Sequence, residues 1–171
     1  MKHPEIDSLD DLYEAYASSV FSYLLHLSGN RTLADELTGE TFYRAMLALD
    51  GFCGDSTVKT WLLRIARNLY LRLNQKEQRI SSFEALQEQG ITFQGKQQDP
   101  ETAVLIREQH HALLHALQQL SEQDRTLLLL ITQEEIPQRD VAQLLGITVA
   151  ATKVRLFRAR QRLAVFLKAN S

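Results

Sequence analysis

The chain has 171 residues, 44% of them hydrophobic and 23% charged, with 7 Gly, 3 Pro, one Cys and a formal net charge of −2. That length allows one domain or two small ones, and the lone Cys53 excludes an internal disulfide or a thiolate metal cluster. The opening MKHPEIDSLDD lacks the apolar stretch of a signal peptide, no apolar run approaches the ~20 residues of a membrane span, and a reducing cytoplasm is the expected compartment.

Few Gly and Pro, with many Leu, Ala, Gln, Glu and Arg, favour helix throughout. Residues 9–28 read as a helix with Leu12, Tyr16, Ser19, Tyr23 and His26 at helical spacing, and SGN at 28–30 ends it. Thr32 followed by Asp35 resembles a capping box and predicts a second helix over 33–49. Its apolar face is Leu33, Leu37, Phe42, Ala45 and Leu49, and Gly39 sits inside it at a cost of about 1 kcal/mol relative to Ala. DGFCGDST is a loop in which Asp55 or Ser56 can cap a third helix, about 57–74. The expected core of that helix is Val58, Trp61, Leu62, Ile65 and Leu69.

From Asn74 the sequence turns polar and Gln-rich, with Gly90 and Gly95, and reads as a flexible linker with a helical turn near 82–88. Asp99 and Pro100 form a cap and first-turn pair for a helix to about Leu120. Ser121 with Asp124 opens another over 122–133. Pro137 opens a short helix to Leu145, Gly146 stops it, and Thr148 caps the last one, 149–168. No strand pattern appears. The predicted fold is all-α, with two small helical domains, 1–80 and 100–171, joined by a linker at 81–99.

The near-neutral total hides a charge alternation. Residues 1–50 hold 3 basic and 9 acidic residues, net −6, and residues 51–82 hold 6 and 2, net +4. Residues 83–136 hold 3 and 9, net −6, and residues 137–171 hold 7 and 1, net +6. Two separated basic blocks suit two contacts with a polyanion, while solvated helix faces are the plainer alternative.

The last basic block carries a helix-turn-helix pattern in RDVAQLLGITVAATKVRLFRA. Ala142 is small where two helices would cross, Gly146 can take the left-handed turn, and a longer helix follows. On that helix Val149, Thr152, Leu156, Ala159 and Leu163 are expected to face the core. The opposite face holds Ala150, Lys153, Val154, Phe157, Arg158 and Gln161. Phe157 is an aromatic off the core stripe; beside basic residues it can touch thymine methyls, and Arg158 can reach guanine. Arg155, Arg160 and Arg162 fall on the flanks, where phosphates would be.

The third helix mixes Lys59, Arg64, Arg67 and Arg72 with Trp61 and Tyr70, a combination that suits unpaired bases, although Trp61 also fits a core position. His111 and His115 are four apart, but no carboxylate or cysteine completes a metal set, so surface histidines are the simpler reading of these two and His110. Cys53 reads as a small loop residue. No phosphate loop or other enzyme signature stands out, and no cofactor, metal or small-molecule substrate is expected.

With both halves in view, the chain resembles the extracytoplasmic-function (ECF) group of bacterial RNA polymerase sigma factors. GNRTLADELTGETFYRAMLALDGFCGDSTVKTWLLRIARN, residues 29–68, is similar to that family's region two. LSEQDRTLLLL together with the helix-turn-helix ending RLFRARQRL is similar to its region four. The resemblance implies that Asp35, Glu36, Glu40 and Met46 dock on the clamp helices of the polymerase largest subunit. It implies that Lys59, Trp61, Arg64, Arg67, Asn68 and Arg72 open and read the −10 promoter element. It also implies that Lys153, Val154, Phe157 and Arg158 read the −35 element, with Arg155, Arg160 and Arg162 beside them. An anti-sigma partner covering the two DNA-binding faces is implied as well.

The chain departs from the family pattern in three places. Gly39 stands where Gln is usual, Arg72 where Asp or Asn is usual, and Ala150-Ala151-Thr152 replaces the usual Gly-Thr-Val opening of the recognition helix. Thr152 faces the core there with a hydroxyl, for which a backbone carbonyl is the expected partner. The rival reading is a stand-alone helix-turn-helix regulator with an N-terminal sensing or dimerisation domain. It would bind operator DNA unaided.

Overall fold

Among the described residues, three helices in the first half and four in the second bury separate sets of leucines. In the computed structural model, which describes residues 8–80 and 100–170, these are α1 (Leu9–Ser28), α2 (Arg31–Ala48), α3 (Val58–Ile80), α4 (Pro100–Gln118), α5 (Glu122–Thr132), α6 (Gln138–Leu145) and α7 (Val149–Ala169). A 3₁₀ turn, Leu49–Gly51, follows α2. Every regular element among the described residues is helical. They form two units, α1–α3 and α4–α7, each with its own core. The predicted linker at 81–99, its helical turn and the Asp99 cap lie outside the described residues.

In the first unit α1, α2 and α3 all pack on one another. Leu12, Val20, Tyr23, Leu24 and Leu27 of α1 are buried, with Leu37, Phe42 and Ala45 of α2 and Leu62, Leu63, Ala66 and Tyr70 of α3. Tyr13 and Phe42 meet edge-on with ring centroids 4.9 Å apart. Gly29 (φ 67°) ends α1, its amide donating to the Leu25 carbonyl at 2.8 Å. This left-handed stop is a glycine's ordinary role.

Several expectations need correction. Of the expected stripe on α1, Leu12 and Tyr23 are buried but Tyr16, Ser19 and His26 are only half-buried, and Val20, Leu24 and Leu27 take the other inner places. α2 begins at Arg31 rather than Leu33, since Asn30 is the cap: its Oδ1 accepts from the Leu33 amide at 3.0 Å. Asn caps at least as well as Thr. α3 is capped neither by Asp55 nor by Ser56. Thr57 does this, its hydroxyl oxygen accepting from the Thr60 amide at 3.2 Å. Trp61, Ile65 and Leu69 are half-buried, and Leu63, Ala66 and Tyr70 take the inner places. α3 also runs six residues past the predicted end at 74, because Gln, Lys, Glu and Arg propagate a formed helix at little cost.

In the second unit α7 packs on α4, α5 and α6. Leu117, Leu127, Leu130, Val141, Leu156 and Ala159 are buried between them. Ser121 caps α5 as expected, accepting from the Asp124 amide at 3.2 Å. α4 ends at Gln118, two residues before the expected Leu120.

Candidate nucleic-acid interface

The turn between α6 and α7 is built from a few backbone groups. Gly146 sits at φ 66°, which a side chain would strain. Its position lets the Ile147 amide donate to the Ala142 carbonyl at 3.0 Å. Ala142 is buried where α6 meets the rest of the unit. Thr148 then starts α7, its hydroxyl oxygen accepting from the Ala151 amide at 3.0 Å. The buried Thr152 donates its hydroxyl to the Thr148 carbonyl at 2.9 Å, the backbone partner expected of it.

One face of α7 is anchored by Thr152, Leu156 and Ala159, with Leu163 half-buried. Val149, expected in that stripe, is exposed instead. The other side carries Ala150, Lys153, Val154, Phe157, Arg158 and Gln161, all exposed. Phe157 leaves 62% of its surface to solvent. An aromatic of that size held outward by a well-anchored helix adds no core energy, and with the exposed Val154 it leaves an apolar spot among the basic residues of this face. Arg160 is exposed beside this face.

Arg155 and Arg162 are on the flank, as the helical spacing requires, but they are not simply solvated. Arg162 donates from Nη1 to Asp124 Oδ2 at 2.7 Å. Arg155 donates from Nη1 to Gln123 Oε1 at 2.9 Å and turns Nε to 3.8 Å from Asp124 Oδ1. Asp124 is buried at the start of α5. The spacing Ser121–Asp124 identifies it only as part of a cap; its ties to residues more than thirty positions away have no signature in the sequence.

The basic face of α3 is narrower than expected. Arg64, Asn68 and Arg72 follow at intervals of four, so they share the side of the helix opposite Leu62, Ala66 and Tyr70. Trp61 borders them and is half-buried, its ring centroid 4.9 Å from that of Phe52 at a 40° tilt. Arg67 lies at the edge of this side. Lys59 falls toward the packed side, between Val58 and Thr60, both buried, and is separated from the others by about half a turn. The structure thus brings together Trp61, Arg64, Asn68 and Arg72, with Arg67 at their margin, and leaves Lys59 apart.

On α2, Asp35, Glu36 and Met46 are exposed and Glu40 is half-buried, paired with Arg44 at 2.7 Å. Tyr43 and Leu47 are exposed beside Met46, 52% and 64%. They give the helix an acidic first half and an apolar second half. Of this apolar part only Met46 is among the expected docking residues; Tyr43 and Leu47 fall neither in the expected core face nor in the expected docking set. Gly39 is exposed, with nothing within 4 Å of an added Cβ. Among the described residues no cluster of His, Cys, Asp or Glu could hold a metal, and no helix is long and apolar enough to cross a membrane.

Residues 12–80 match the family model for Sigma-70 region 2 and residues 110–163 that for Sigma-70, region 4. The ECF RNA polymerase sigma factor SigM of Bacillus subtilis (strain 168) is 33% identical over 159 residues, spanning 91% of this chain and 93% of SigM. The ECF RNA polymerase sigma factor EcfG of Rhodopseudomonas palustris (strain TIE-1) is 34% identical over 164 residues, 96% of this chain and 87% of EcfG. Among solved structures, the sigma factor RpoE of Bartonella quintana, crystallised with the anti-sigma factor NepR, shares the fold. Its TM-score is 0.75 and its identity 24%, over 97% of this chain and 100% of RpoE.

Proposed function

The chain belongs to the ECF RNA polymerase sigma factors, and from that premise we propose how its two units divide the work. As a sigma factor it binds core RNA polymerase and directs promoter-specific transcription initiation. The α1–α3 unit docks on the polymerase and takes the −10 element. The α4–α7 unit inserts α7 into the major groove of the −35 element, with no catalysis of its own.

The observation that carries this reading is the outward face of α7. Val154, Phe157 and Arg158 project from a helix fixed by Thr152, Leu156 and Ala159, after a turn of helix-turn-helix form. That arrangement suits reading of base edges. On α3, Arg64, Asn68 and Arg72 around Trp61 offer cations, an amide and an aromatic to separated bases. On α2, Asp35 and Glu36 followed by Tyr43, Met46 and Leu47 offer acid for a basic docking site and an apolar anchor for its core. The clamp helices of the largest polymerase subunit are the docking site we assign to it.

An anti-sigma factor that covers these faces is part of the proposal, since a structurally similar sigma factor was crystallised with one. The stand-alone regulator is not favoured, because the family match runs through both units. Run-off transcription with purified core polymerase tests the reading. Promoter-specific transcripts are expected only when the chain and core are combined; sequence-specific DNA binding at full affinity without core would favour the regulator.

A further inference from the structure

The ionic cluster at the junction of α5 and α7 has no part in reading bases, yet its position is peculiar. Asp124 has only 7% of its side chain exposed, while Arg162 and Arg155 keep 58% and 39% of theirs in solvent. The three residues, with Ser121, Val154 and Arg158, line an open cleft beside the outer face of α7. A buried ion pair is a poor way to hold two helices together, since apolar residues of like size often do as well or better. The ionic character is better explained by the exposed ends of the guanidinium groups.

We propose that Asp124 is a positioning residue for DNA phosphate binding: from the first turn of α5 it holds Arg155 and Arg162 as a pre-ordered cationic pair on the flank of the recognition helix. The proposal rests on the assignment of α7 to the −35 element. A guanidinium has five N–H donors in a rigid fork. Arg162 gives one to Asp124, and Arg155 gives one to Gln123 and turns another edge toward Asp124. Both arginines line the cleft, where the sugar-phosphate backbone would pass a helix seated in the major groove. Asp124 also supplies one negative charge among Arg155, Arg158 and Arg162, which would otherwise push one another apart.

Two effects of removing the carboxylate oppose each other. Loss of its charge favours a polyanion; loss of its hold leaves two long side chains to be ordered on binding. The second effect is expected to prevail, because two long, rotamer-rich side chains must then be ordered at once.

The test uses the full chain with core polymerase and a promoter duplex enriched from random sequence by the wild-type holoenzyme. Affinity is measured over a range of KCl concentrations. Asp124→Asn is expected to weaken binding about threefold to tenfold, the cost of ordering one or two side chains, and to flatten the salt dependence by about one phosphate contact. In an Arg155→Ala, Arg162→Ala background the same change should add nothing, a coupling that general destabilisation would not produce. Tighter binding with a steeper salt slope, unchanged affinity, or a loss that adds in full to the double variant would each overturn the proposal. Arg158→Ala separates the two levels. If it costs affinity while Asp124→Asn shows no coupling, only the role of Asp124 fails; if it too is silent, the −35 assignment fails with it. Should Asp124→Asn not fold, side-chain ¹⁵N relaxation of the wild-type chain decides: Arg155 and Arg162 are expected to be more ordered than Arg158 and Arg160, and equal mobility overturns the idea.

Discussion

The Ile147 amide donates to the Ala142 carbonyl at 3.0 Å, across the left-handed turn at Gly146. This bond sets where α6 stops and in which direction α7 leaves. Phe157 and Arg158 then point outward because Thr152, Leu156 and Ala159 hold the opposite side of α7 against the rest of the unit.

Gly146→Ala places a side chain at φ 66°. Nothing lies within 4 Å of the added carbon, so the penalty is conformational, about 1–2 kcal/mol. Chemical denaturation should show that loss of stability.

Ala142→Leu is expected to do more harm. Ala142 is 3% exposed, and added methylenes in a packed site cost about 1–3 kcal/mol. Because the same residue fixes the turn, promoter binding by the holoenzyme should fall even at temperatures where the protein remains folded. Wild-type affinity in a folded variant would contradict this role.

Arg158→Ala should cost about 1–3 kcal/mol and relax preference at one base pair of the −35 element, if its guanidinium meets a guanine. Arg160→Ala should weaken all sequences alike and lower the salt slope by about one. Binding selections with each variant distinguish the two. Equal, base-independent losses would remove the distinction between face and flank.

Glu36→Lys reverses an exposed charge on α2. Affinity for core polymerase should drop by about 1 kcal/mol or more, most strongly at low salt. Leu47→Ala tests the apolar half and should weaken core binding without salt dependence. Competition between variant and wild-type chains for core measures both.

Arg64→Ala and Arg72→Ala should slow promoter opening and leave −35 binding nearly intact. Opening costs about 1.4 kcal/mol per base step, and stacking with a cationic groove returns about 1–3 kcal/mol per base. Permanganate reactivity on duplex and pre-opened promoters reads this directly, with rescue expected on the bubble. Lys59→Ala, on the packed side of α3, should affect opening less than either.

Much of this molecule was legible in its chain. The helix-turn-helix could be read from Ala142, Gly146 and Thr148, because a left-handed turn and a cap depend on residue type at one position. The exposed side of α7 followed from the spacing of Thr152, Leu156 and Ala159, since a helix repeats every 3.6 residues. The caps of α2 and α3 were misplaced because Asn30, Thr32, Asp55, Ser56 and Thr57 have similar chemistry. Which of them caps is decided by where packing lets each helix begin. The buried side of α3 was legible only in part, at Val58 and Leu62, for a related reason. Trp61, Ile65 and Leu69 are as apolar as Leu62, Leu63 and Ala66, and only the positions of α1 and α2 select between the two stripes. The bond from Asp124 to Arg162 was the least accessible feature. It joins helices far apart in sequence, and periodicity carries information about a helix's own faces but none about which neighbour will meet them.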